Sequence, residues 1–152
     1  MKIFLDIDGV MVHANPYKKV DIEKDGFYKF NDAAITIINS LYDFNIEIIL
    51  STSHRFRFTI SEWKNIFLRR NIKFKEISIV DIPLNIKISR REEIEKWIND
   101  NEMDPDDLII IDDDKSLHEL PERLKWRWLQ TDSYIGLINS RELINILEKD
   151  RK

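Results

Sequence analysis

Short apolar runs rich in isoleucine, each bounded by polar or turn residues, recur along the chain in the way expected of strands buried on both faces. They predict strands at Ile3 to Ile7, Ile46 to Leu50, Ile77 to Ile82, Leu108 to Ile111 and Trp126 to Leu129. Helical spacing fills the gaps. Ala34, Ile37, Ile38 and Leu41 step along one face after Asn31 or Asp32. Thr59 and Glu62 read as a capping box ahead of Trp63, Ile66 and Phe67, and Ser89 and Glu92 as a second one ahead of Ile94, Trp97 and Ile98. A last helix is predicted from about Ser140 to Glu148, with Leu143, Ile146 and Leu147 inward. Strands separated by helices imply parallel pairing through right-handed crossovers, hence a three-layer, Rossmann-like α/β fold with a central parallel sheet of about five strands. Met11 to Phe30 breaks the alternation. With Pro16, mixed charges and Asp25-Gly26, this stretch predicts an extended flap or small hairpin leaving the C-terminal end of the first strand.

Composition removes several chemistries. The chain of 152 residues has 43% hydrophobic residues, enough for one core, and is read as one domain over residues 1–152. Having no cysteine, it offers no disulfides, thiolate metal sites or cysteine nucleophile. Its glycines, Gly9, Gly26 and Gly136, lie too far apart for a P-loop or a dinucleotide fingerprint. The 24 Lys and Arg against 28 Asp and Glu give a formal charge of −4, which speaks against extensive nucleic-acid backbone binding. The start MKIFLDIDG carries an acid where a signal peptide needs apolar residues, and no apolar run approaches the ~18 residues of a membrane span. A cytoplasmic location without membrane partners is the expectation.

In a parallel α/β sheet, functional groups gather at the carboxyl ends of the strands. Those ends carry Asp6, Asp8 and Gly9; Ser51, Thr52, Ser53, His54 and Arg55; Asp81 and a loop leading to Lys87 and Arg90; and Asp112, Asp113 and Asp114. Crowded carboxylates stay ionised together only around a cation. An oxygen-only ligand set favours Mg²⁺, which is commonly shared between carboxylates and substrate phosphate. Taken singly, each element has a plainer account: Asp6-Ile7-Asp8-Gly9 as a turn, the Asp triplet as a solvated strand end, Arg90 as a surface residue. His13 and His118 are read as surface histidines, and Trp126 and Trp128 as strand residues packing together on a helix layer.

The string Asp6-Ile7-Asp8-Gly9-Val10 after an apolar strand, the Ser/Thr after the second strand, the basic residue before the fourth and the acidic run ending it resemble the haloacid dehalogenase superfamily of phosphatases. More narrowly, the STSHR segment and the helix leading into I-I-I-D-D-D are similar to the small domains of that superfamily in RNA-repair proteins. The resemblance implies a Mg²⁺-dependent phosphohydrolase working through an aspartyl-phosphate. Asp6 would be the nucleophile and Asp8 the general acid and base. The metal would contact Asp6, the backbone carbonyl of Asp8, and Asp112 or Asp113. Thr52 or Ser51 would bind the phosphoryl group, and Arg90 or Lys87 would neutralise its charge. His54, Arg55 and Arg57 would lie near the rim and grip further substrate phosphates. With only a short insertion after the first strand, the site would admit bulky ends. The implied substrate is a phosphomonoester, either a nucleic-acid terminal phosphate or a small metabolite; a non-catalytic phosphate-binding module is the remaining reading.

Overall fold

The computed structural model describes residues 1–150. Five parallel strands, β1 (Lys2–Leu5), β2 (Glu47–Leu50), β3 (Glu76–Ile79), β4 (Leu108–Asp112) and β5 (Trp128–Gln130), form one sheet in the order β3-β2-β1-β4-β5. The helices are α1 (Asp32–Asn39), α2 (Ile60–Arg69), α3 (Arg90–Asp100), α4 (Glu122–Lys125) and α5 (Arg141–Asp150). Alternation along the strands sorts their side chains into two cores. Ile3, Leu5, Ile48, Leu50, Ile109 and Ile111 pack with α1, α2 and α5; Phe4, Ile49 and Ile110 pack with α3 and α4. Helices on both faces of the parallel sheet make the fold the expected three-layer α/β architecture.

Both capping boxes form: Thr59 and Ser89 each accept from the backbone N–H three residues on, and Glu62 and Glu92 each reach back. The order of strands reverses between β1 and β4, because β2 and β3 extend to one side and β4 and β5 to the other. In parallel α/β sheets the carboxyl end of such a switch point is where functional groups gather.

One expectation changes, and another is met more firmly than a flap would be. Trp126 does not belong to a strand: it ends α4, is 60% exposed and lies under the Lys149 ammonium at 4.2 Å. Only Trp128 packs against the core, its Nε1 donating to the Asp112 carbonyl at 3.0 Å. The apolar pair at period two misled because a short helix ends between the two indoles. The stretch after β1 is a hairpin around Asp25-Gly26, with Glu23 and Lys29 donating to the carbonyls of Phe27 and Asp21. It is bound tightly to the body. Phe27 and Phe30 are fully buried in an aromatic cluster with Phe58, Trp63 and Phe67.

Candidate active site

Two residues continue the ladder beyond the strands. The Asp6 amide donates to Ile111 and the Ser51 amide to Leu5, each at 3.1 Å, so Asp6 and Ser51 keep the register of Leu5 beside Leu50. By alternation Asp6, Ser51 and Asp112 follow Phe4, Ile49 and Ile110 and project toward α3. Thr52 follows Leu50 toward the opposite core. The chain turns sharply after Ile7: the amides of Val10, Met11 and Val12 all donate to its carbonyl, with Gly9 at φ +80°. This turn brings Asp113 over Gly9.

Asp6, Asp112 and Asp113 each place a carboxylate oxygen within 4.8 Å of the others. Arg90, the first residue of α3, donates to Asp112 Oδ2 at 2.6 Å and lies 3.5 Å from Asp6 Oδ1. A cation at a helix N-terminus opposes the helix dipole; here the two carboxylates offset that. Burial and the Asp112 charge push the Asp6 carboxyl well above its ordinary range, while Arg90 pulls it back. Burial raises Asp112 to about 6 against the opposing pull of Arg90. Three carboxylates against one guanidinium leave an excess of two negative charges, and two of the acids are almost wholly buried. A hard divalent cation fits this donor set, since it would hold all three ionised.

The structure distributes the remaining candidates unevenly. Asp114 accepts from the Ser116 amide at 2.8 Å and caps a short 3₁₀ turn outside the carboxylate trio. The Asp8 side chain also stands apart from the trio and accepts from His54 Nε2 at 2.7 Å. Thr52 Oγ1 already accepts from the His54 amide at 3.2 Å, whereas the buried Ser51 Oγ has no hydrogen-bond partner. Lys87 is exposed on the β3–α3 loop.

Arg55 departs from the rim position expected of it. It is 1% exposed, pairs with Glu93 at 2.8 Å and donates to the carbonyls of Thr52 and Ile82 at 3.1 and 2.6 Å. The tight turn after Thr52 sends it inward, where it braces the loop carrying Ser51 and His54. Arg57 stays exposed, its guanidinium over the rings of Phe27 and Phe58. The sequence reading missed Tyr28, whose ring meets His54 edge-on at 5.6 Å, and Arg70, which holds the hairpin. No local signal marks either, because the Arg70–Asp25 contact joins residues 45 apart.

Over residues 2–141 the chain matches the family described as the HAD domain in Swiss Army Knife RNA repair proteins, and it belongs to that family. No curated protein matches it. Among solved structures it is similar to the cobalt-bound deoxy-D-mannose-octulosonate 8-phosphate phosphatase YrbI of Haemophilus influenzae, at 15% identity, covering 99% of this chain and 89% of that one with a TM-score of 0.47. A Vibrio cholerae protein provisionally described as a 3-deoxy-D-manno-octulosonate 8-phosphate phosphatase gives 14% identity, 99% and 84% coverage and a TM-score of 0.46. Among the described residues no helix is long and apolar enough to cross a membrane.

Proposed function

We propose that the chain is a Mg²⁺-dependent phosphomonoesterase acting through Asp6 on the terminal phosphate of a nucleic acid. The observation that carries this reading is the convergence of Asp6, Asp112 and Asp113 within 4.8 Å, with Arg90 joining Asp6 and Asp112; Asp8, two residues after Asp6, stands outside the trio against His54. Asp6 Oδ attacks phosphorus while the bond to the leaving oxygen breaks, and Asp8 gives that oxygen its proton. Asp8 then takes a proton from water, whose oxygen attacks the aspartyl-phosphate and frees inorganic phosphate and the Asp6 carboxylate.

Asp6, Asp113 and the Asp8 carbonyl, with Asp112, would hold the cation, which when bound supplies positive charge to the phosphoryl oxygens and keeps Asp6 ionised. Ser51 is the better placed of the two hydroxyls to donate to the phosphoryl group: it shares the face of Asp6 and its Oγ is free. Arg90 complements the charge spread over the equatorial oxygens. The membership in a family described from RNA repair proteins favours a polynucleotide end, and a hairpin in place of a larger cap leaves room for one.

The test is turnover of p-nitrophenyl phosphate and of 3′- and 5′-phosphorylated oligonucleotides, with sugar phosphates alongside. EDTA or Asp6→Asn should abolish release of phosphate from every substrate, and activity surviving either would refute the mechanism. Preference for sugar phosphates would refute the substrate.

A further inference from the structure

Beside the carboxylate trio, on the side of Asp8, stands a wall that the proposed chemistry does not use. Asp8 is the group that would protonate the leaving oxygen, so whatever lines its surroundings meets the leaving group. Its side chain is 39% exposed and is held by His54 at 2.7 Å. The His54 ring meets the stacked rings of Phe27 and Tyr28 edge-on, at 5.6 Å from each. Tyr28 is partly exposed, and its phenol feels both neighbours: burial and the Asp8 charge push it up while Arg57 pulls it down. Arg57 itself is held by the faces of Phe27 and Phe58, at 5.7 and 5.3 Å, which leaves its donors free for an anion.

The wall does not depend on a mobile lid. Arg70, 4% exposed, donates through Nε to the Tyr28 carbonyl at 2.7 Å and through its other nitrogens to both oxygens of Asp25 at 2.6 and 2.9 Å. The hairpin is thus fastened to the end of α2 at the residue that presents Tyr28. A partly exposed aromatic ring, an imidazole and an unclaimed guanidinium, fixed together next to the acid, suit a leaving group with a flat face and a second negative charge. A nucleoside followed by a phosphodiester has both; a sugar alcohol has neither.

We propose that Tyr28, His54 and Arg57 form a leaving-group subsite that takes the terminal nucleoside of a polynucleotide, with Arg57 meeting the phosphodiester next to it. This rests on the phosphatase reading above and adds the residues that would make it selective. The experiment compares kcat/KM for a phosphorylated oligonucleotide and for a sugar phosphate in the wild type, Arg57→Glu, Tyr28→Ala and the milder Tyr28→Phe, with folding checked by thermal melts. Arg57→Glu and Tyr28→Ala should lower the oligonucleotide value at least tenfold more than the sugar phosphate value, and Arg57→Glu should flatten the salt dependence of the oligonucleotide KM. Equal losses on both substrates, or none on either, would overturn the subsite and leave the phosphatase reading standing. Should the wild type release phosphate from neither substrate, the phosphatase reading falls. The subsite is then decided by fluorescence anisotropy of a labelled phosphorylated oligonucleotide: tenfold weaker binding by Arg57→Glu supports it, and unchanged binding overturns it.

Discussion

Gly9 shows how narrowly one residue can be constrained by the chemistry beside it. Its φ of +80° already disfavours any side chain, and a Cβ there would lie 2.1 Å from Asp113 Oδ2. Gly9→Ala therefore strains the backbone by about 1–2 kcal/mol and also pushes Asp113 away from Asp6 and Asp112. The expected outcome is a lower midpoint in urea unfolding together with a Mg²⁺ affinity weakened by at least tenfold in calorimetric titration. Native-like Mg²⁺ binding in a destabilised variant would show that Asp113 is not a ligand. The sequence signals Gly9 plainly, through its place after Asp6-Ile7-Asp8. The division of labour among Asp112, Asp113 and Asp114 it does not signal: that depends on which strand face each continues and on the cap that takes Asp114.

Among the elements, α2 and α3 begin with the same device and serve different ends. Thr59 and Ser89 each complete a capping box, and an alanine at either position removes about 1 kcal/mol. Thr59→Ala should lower stability and leave turnover unchanged. Ser89→Ala frees the turn that aims Arg90 at Asp112, so it should also reduce kcat, by up to about a hundredfold if the guanidinium shifts by about 1 Å. Matched kinetics and melting curves for the two variants check this; equal kcat values would detach Arg90 from its cap. The hairpin carries its own signature in pH. The hydrogen bonds from Arg70 hold Asp25 down at about 2, from an ordinary 3.8. A depressed carboxylate contributes stability that is present above pH 3.8 and is lost as pH falls toward 2. The fall from 3.8 to about 2 corresponds to about 2 kcal/mol. Asp25→Asn should be less stable than the wild type by about that much at pH 7, with the gap narrowing by pH 3; urea unfolding at both pH values measures it, and a constant gap would exclude an ionic clamp. Both capping boxes were legible because a cap is local. The clamp was not, because nothing near Asp25 points to Arg70.

Across the whole molecule, the legible part is what periodicity and order along the chain determine: five strands, every helix but the single turn of α4, and therefore the edge of the sheet where Asp6, Arg90 and Asp112 converge. Lost from view were contacts between distant segments, such as Arg55 turning inward to Glu93 and His54 reaching Asp8. The convergence itself places a load on the fold, because Asp6 and Asp112 are buried and raised above their ordinary values. Without a cation, the folded state retains protons that the unfolded chain has already released. The stability these groups contribute is complete below pH 3.8 and is lost as pH rises through about 6 for Asp112 and through the raised value of Asp6. A divalent cation reverses the sign above that window, since it binds the ionised trio of the folded state alone and stabilises by mass action. Saturating Mg²⁺ should therefore raise the melting temperature more at pH 7.5 than at pH 5, where protons compete for the same oxygens. Asp113→Asn, which removes a charge from the trio without disturbing the Arg90 pair, should diminish the rise at pH 7.5. Differential scanning fluorimetry with and without EDTA reads both effects, and a Mg²⁺-induced shift that is absent, or equal at the two pH values, would mean that the trio is not the metal site.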